Sequence, residues 1–308
     1  MLKKLPLPVT GLMLGLASAG NLVLSYGNVY RNIFGIISGI ILALLIAKIL
    51  IIPQSIKEGF ENPVVASVTP TFSMSLMLLS TYIKPYLPSA AYFLWLCGLA
   101  LHCILIILFT KKYILHFNLK KVFPSYFIVY VGIVCASVTA PAFGLLKLGQ
   151  YIFWFGFAAY LILLPVILYR TLIVKEIPEP AIPTIAIYTA PASLCLAGYL
   201  NSFQSKSMLI IGFLSVLSLL MFVYVIVNMP KLLRLKFYPS YSAFTFPFVI
   251  TAIAIKGSHT YLMKLGNTIA FLSYFVNLLE LWAVIMVAYV LVKYIMFIIS
   301  KPETAKVL

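Results

Sequence analysis

A chain of 308 residues that is 63% hydrophobic, 9% charged and of mean hydropathy +1.11 excludes a water-soluble domain, because such domains carry roughly 45–50% apolar and about 25% charged residues. A formal charge of +16, from 22 Lys and Arg against 6 Asp and Glu, would suit nucleic acid by number. The basic residues, however, punctuate long apolar runs, which excludes that partner and makes lipid the solvent. Cys97, Cys103, Cys135 and Cys195 fall within apolar runs and form no CxxC pair, so neither a disulfide framework nor a zinc site is expected.

A spanning helix needs about 20 predominantly apolar residues. In chain order the runs predict ten spans, at 8–24, 32–52, 63–82, 89–109, 124–145, 149–172, 182–200, 208–228, 240–255 and 268–299. The first follows Lys3-Lys4 and contains Ala17-Ser18-Ala19, like a cleavable secretory signal. Pro6 and Pro8 interrupt its start, and the repeat described below requires it as a first helix. The second holds Lys48. The third opens on Asn62-Pro63 and reaches Thr69-Pro70; the fourth carries His102. The fifth opens Phe123-Pro124-Ser125-Tyr126, has Gly132 at mid-span and meets a late Pro141. The seventh runs from Ile182-Pro183 to Thr189-Ala190-Pro191, and the ninth from Tyr238-Pro239 to Thr245-Phe246-Pro247. The tenth, which holds Glu280 and Lys293, is long enough to tilt.

The charges sort by loop. Fourteen Lys and Arg (3, 4, 57, 111, 112, 120, 121, 170, 175, 231, 234, 236, 301, 306) fall on the side of the N-terminus, and six (31, 84, 147, 206, 256, 264) on the other. The positive-inside rule then predicts a multi-pass protein of the cell (plasma or inner) membrane with both termini cytoplasmic. An odd number of helices would scramble this separation.

The opening prolines Pro8, Pro63, Pro124, Pro183 and Pro239 are spaced 55, 61, 59 and 56 residues apart. The whole chain, 1–308, thus reads as one transmembrane domain of five hairpin repeats. A proline at the helix start costs nothing, since its N–H would have had no partner. Pro70, Pro191 and Pro247 follow seven or eight residues later, about 12 Å into a core roughly 30 Å thick. There a proline breaks a backbone hydrogen bond and kinks the helix. Kinks at one depth predict that the odd spans surround a common axis, with the even ones outside. Pro141 is a fourth, displaced kink, and the first span offers only Gly11 and Gly15.

These prolines, with Leu5-Pro6-Leu7-Pro8, Phe123-Pro124-Ser125-Tyr126, Ala190-Pro191-Ala192 and Thr245-Phe246-Pro247, carry a resemblance over essentially the whole chain. The sequence is similar to the tellurite-resistance/dicarboxylate transporter family, which takes in bacterial TehA and the slow anion channels of plant guard cells. The resemblance implies an all-α fold of ten helices, five hairpins around a central pore with quasi-fivefold symmetry. It also implies a homotrimer with one pore per subunit, blocked at mid-membrane by a phenylalanine of the ninth helix, here Phe246. The corresponding positions in other repeats are Thr69, Val131 and Ala190, small where Phe246 is large.

Beyond that plug, Thr69, Thr189 and Thr245 (with Thr71 and Ser137) are expected to give the path hydroxyls and no fixed charge. Such a lining suits anions, since cation pores show acidic rings. Glu280 is the one carboxylate within a span, and it lies on an even helix. An intramembrane acid is costly and is a functional candidate by default. No Walker A loop, GxGxxG, HExxH or nucleophile elbow occurs, and His102, His116 and His259 have no ligand spacing. The expected function is therefore a channel for small inorganic anions, with no cofactor and only lipid and permeant anions as partners besides its own copies. A proton-coupled carrier for malate-like C4-dicarboxylates is the alternative, and an intramembrane enzyme a remote one.

Overall fold

The computed structural model describes residues 2–267 and 270–300, and every regular element among them is helical. The expected start of the tenth span at Thr268, together with Lys301, Glu303 and Lys306, lies outside the described residues. Eight helical stretches are long and apolar enough to cross a membrane: Val9–Tyr26, Asn28–Ile51, Pro63–Ile83, Pro88–Ile114, Leu146–Val174, Glu179–Ser202, Met208–Leu232 and Ala270–Ile299. These match eight of the ten expected spans. The fifth falls short because it is broken into Tyr126–Tyr130, Val134–Thr139 and a 3-10 turn at Ala140–Phe143. The ninth has a 19-residue helix, Phe246–Lys264, whose second half carries Lys256, Ser258, His259 and Thr260. Ser258 and His259 are buried there against neighbouring segments, whereas Lys256 is partly exposed and Thr260 exposed.

Burial separates the two sets. In the first, third and seventh segments 78, 72 and 89% of the apolar window is buried, against 22–28% in the second, fourth, sixth, eighth and tenth. The odd segments are interior and broken; the even ones are continuous apolar rods with large exposed side chains such as Phe93, Ile162, Leu209 and Phe271. That distribution is the reverse of a soluble bundle and is what lipid contact demands.

The interior segments pack in a closed order: first on third, third on fifth, fifth on seventh, seventh on ninth, and ninth back on first. Each outer helix lies against its own hairpin partner and the next interior segment; the tenth completes the sequence between ninth and first. A buried hydroxyl ties every interior contact. Thr71 donates to Thr10 Oγ1 (2.7 Å), the Ser67 and Ser125 hydroxyls meet at 2.6 Å, and Ser202 donates to the Ser137 carbonyl (2.6 Å). Thr251 reaches the Thr189 carbonyl (3.2 Å) and Thr245 the Gly11 carbonyl (3.0 Å). In an apolar core, these hydroxyls find partners in the hydroxyls and carbonyls of neighbouring segments.

The interior segments break at matching places. The third stops at Val68 and restarts at Thr71, across Thr69-Pro70. The seventh passes from a 3-10 stretch, Glu179–Thr189, to the α-helix Ala190–Ser202. The ninth passes from 3-10 Pro239–Phe244 to Phe246–Lys264 through Thr245, at φ −106° and ψ −89°. In each, proline removes the N–H that would have continued the α ladder. The fifth segment has no proline at its joint. Gly132 serves instead, where a Cβ would lie 2.1 Å from the Ile128 carbonyl and 2.8 Å from Met74 Sδ. Pro141 sits further along, inside the 3-10 turn. His102, fully buried on the fourth helix, braces two of these joints. Its Nε2 donates to the Val129 carbonyl (3.1 Å) and its Nδ1 meets Ser73 Oγ (2.8 Å).

Candidate functional site

At the level of the joints the five interior segments enclose a small cavity of about 40 Å³. Its wall takes Gly11 and Leu14 from the first segment, Val68, Thr71 and Met74 from the third, and Phe127, Val131 and Gly132 from the fifth. Ile187, Ala190, Pro191 and Leu194 come from the seventh, and Ser242, Phe246 and Pro247 from the ninth. The space would hold only a few waters, and its wall offers them few polar partners. Thr71 and Thr184 also border it, but both hydroxyls are engaged within the protein, Thr71 between Thr10 Oγ1 and the Val68 carbonyl (2.7 Å each) and Thr184 with the Ala181 carbonyl (2.6 Å).

Three further cavities continue this one lengthwise. Ser240 is shared with a vestibule of about 580 Å³ at the end where the interior segments begin, bordered by Pro8, Pro63, Phe123, Ala181 and Pro239. In the other direction, Leu194 and Phe246 are shared with a cavity of about 200 Å³ that also takes residues from all five interior segments, among them Ser18, Leu78 and Cys135. Asn21, Asn201 and Ile253 in turn belong both to that cavity and to an outer one of about 530 Å³, where Lys206, Lys256 and Lys264 stand. Phe246, 6% exposed, is thus the aromatic ring between the two innermost spaces.

The sequence-derived candidates divide. Phe246, Val131 and Ala190 border the central cavity, as do Pro191 and Pro247. Thr69, Thr189 and Thr245 stand at the joints but do not line it. Their hydroxyls turn back to carbonyls of their own segments, Thr69 to Val65 (2.9 Å), Thr189 to Ala186 (3.2 Å) and Thr245 to Ser242 (2.7 Å). Ser137 is likewise spent on the seventh segment. Of the hydroxyls the sequence suggested, only Thr71 borders the central cavity, whose wall is otherwise mostly apolar. Leu14, Met74, Ile187 and Leu194, which dominate it, carried no signal that set them apart from other apolar residues. Gly11 did, as an unbranched position at the depth of the kinks.

Glu280 lies away from this line of cavities. Its carboxylate, 4% exposed, pairs with Lys256 Nζ at 2.5 Å and accepts from Tyr26 Oη at 2.7 Å. The Lys256 ammonium also donates to Ser25 Oγ (2.8 Å). Glu280 therefore offsets one of the three lysines of the outer cavity and joins the tenth helix to the ninth and first.

A family model described as SLAC1, voltage-dependent anion channel, matches residues 5–295. The chain belongs to the SLAC1 family. This is the family, shared by TehA and the plant channels, that the proline repeats resemble. The matched stretch contains every residue that borders the four cavities, from Pro6 to Lys264. No curated protein matches the sequence. SLAC1-family membership, with eight apolar helices, makes this a multi-pass membrane protein of an anion channel and transporter family.

Proposed function

We propose that this SLAC1-family protein is a channel for small inorganic anions, that its ten helices form five hairpins with quasi-fivefold order, and that Phe246 gates the axis. The observation that carries the gate is the position of Phe246 between the cavities on either side, at a constriction whose wall is mostly apolar, with Leu14, Val68, Met74, Val131, Ile187 and Leu194 beside it. An apolar constriction closes by dewetting, so a ring that fills it stops ions without any charge. The closed order of interior contacts supports the fivefold reading. The lysines of the outer cavity support anions over cations, because they raise anion concentration at the mouth.

Glu58 borders only the vestibule, and the carrier reading for C4-dicarboxylates needs a titrating group on the inner path. Glu280 is held off it by Lys256 and Tyr26, and His102 is engaged with Ser73 and Val129 on the rim of the bundle. Neither favours a proton relay.

Current recording in bilayers tests the gate. Phe246→Ala should raise anion current by at least an order of magnitude, Phe246→Leu less, with reversal at the anion equilibrium potential. Phe248 is the control. It packs edge-on against Phe222 and Trp282, with ring centroids 6.1 and 5.8 Å away, and borders none of the four cavities. Phe248→Ala should cost about 3–5 kcal/mol of stability and leave the current low. A folded Phe246→Ala protein that carries only wild-type current would sink the gate.

A further inference from the structure

The second helix turns a stripe of buried residues inward: Gly35, Ser38, Ile41, Leu45 and, one turn further, Lys48. A lysine is out of keeping at the end of such a stripe. It is 6% exposed, and its Nζ donates to the Leu5 carbonyl at 2.6 Å. An ammonium has three donors. No carboxylate lies within 4.0 Å among the described residues, whose ion pairs are Lys112–Glu61, Lys120–Glu176 and Lys256–Glu280. A buried charge without a partner costs several kcal/mol, so its tolerance here calls for compensation from outside the chain.

Lys48 borders the vestibule and, among the described residues, is the only Lys or Arg on its wall. The other polar groups there are largely committed: the Ser55 hydroxyl to the Ile52 carbonyl, Ser240 to Pro180, and Asn62 Oδ1 to the Val64 and Val65 amides. The Asn62 oxygen is used as a helix cap, which leaves its NH₂ as a further donor on the same wall. The vestibule thus offers donors and one cation and, apart from Glu58, no competing acid.

We infer that Lys48 is a binding site for a small monovalent anion in the vestibule, the first station on the path to Phe246. The inference deepens the channel reading and takes its place on the path from it, though binding itself does not require conduction. A dianion is disfavoured, because a single ammonium would have to balance it in a space that Glu58 also borders. A halide or nitrate needs no second cation.

Bromide is the probe. Crystals of the full wild-type chain soaked in bromide, with diffraction recorded at the bromine edge, should show an anomalous peak in hydrogen-bond contact with Lys48 Nζ. The peak should be lost in Lys48→Met and kept in Lys48→Arg. No peak at Nζ in the wild type, or a peak that persists in Lys48→Met, overturns the site. If Lys48→Met does not fold, the wild-type and Lys48→Arg crystals decide. A second readout uses the open pore. In Phe246→Ala protein, Lys48→Gln should lower conductance about twofold or more at low ionic strength. The deficit should fade near 1 M salt, where charges are screened within about 3 Å. Equal conductance at low salt overturns the inference, and the bromide peak separates an anion bound at Nζ from one only attracted through space. Should Phe246→Ala carry no current, the channel reading fails and the bromide result alone judges Lys48.

Discussion

Gly15 illustrates how a residue on one segment sets the position of a side chain on another. A Cβ there would come within 2.5 Å of both Thr245 Cβ and Oγ1 and 3.1 Å of the Phe246 nitrogen. The first helix can therefore approach the joint of the ninth only with glycine at this point. Gly15→Ala should push Thr245 away, stretch its bond to the Gly11 carbonyl and tilt Phe246 out of the constriction. The expected cost is about 1–3 kcal/mol, typical of overpacking, visible as a lower Tm in detergent. The mutant should also leak anions, though less than Phe246→Ala. An unchanged Tm with no leak would mean that the two segments separate freely and that Phe246 is not held from the first helix. The place of Phe246 beside the inner cavities was legible because a repeat put one bulky residue where its counterparts are small. The role of Gly15 was not, because a glycine in an apolar run says nothing of which segment crosses it.

Breaks in the interior segments follow from proline chemistry, and three of the four joints fall where the second prolines stand. The fifth segment departs from the pattern, since Gly132 makes its joint and Pro141 lies beyond it. The direction of the hydroxyls was not legible. A threonine at a joint can face the axis or return its proton to a carbonyl three or four residues back; Thr69 and Thr189 do the second, and Thr245 shares its proton between the Ser242 carbonyl and the Gly11 carbonyl of the first segment. Composition names the groups available; only the local backbone says which are already satisfied. The pairing of Glu280 had the same character, because its partner Lys256 is on a different hairpin strand and 24 residues earlier. Glu280→Gln should leave Lys256 without its counter-charge. The loss should be about 1–3 kcal/mol, below the 3–5 of a wholly buried pair, because the Lys256 side chain is 32% exposed. In the Phe246→Ala background the extra positive charge at the outer mouth should raise anion conductance at low salt. Lower conductance there, in a protein of normal stability, would show that Glu280 takes part in permeation.

At the scale of the molecule, the apolar outer helices leave a surface that lipid must satisfy. The family resemblance leads us to expect a homotrimer with the pore inside each protomer; cross-linking that stops at dimers would count against it. The number of crossings is open to a sharper experiment. The fifth and ninth segments are the two that fall short as apolar helices, so the choice is between ten crossings and eight. Both counts are even, and both put the 111–121 loop and the C-terminus on the side of the N-terminus, so reporters there cannot separate them. Loops after the sixth and eighth segments can. With ten crossings, reporters fused after Lys175 and after Lys236 should read cytoplasmic. With eight, the fifth segment returns without crossing, and both positions move outside. The charges argue for ten, since eight would carry Arg170, Lys175, Lys231, Arg234 and Lys236 across the membrane against the positive-inside rule. The packing argues likewise, because the fifth segment lies between the third and seventh, and the ninth between the seventh and first, along their length. Reporters that read cytoplasmic within the 111–121 loop and external after Lys175 would leave the fifth segment re-entrant and break the five-hairpin pore.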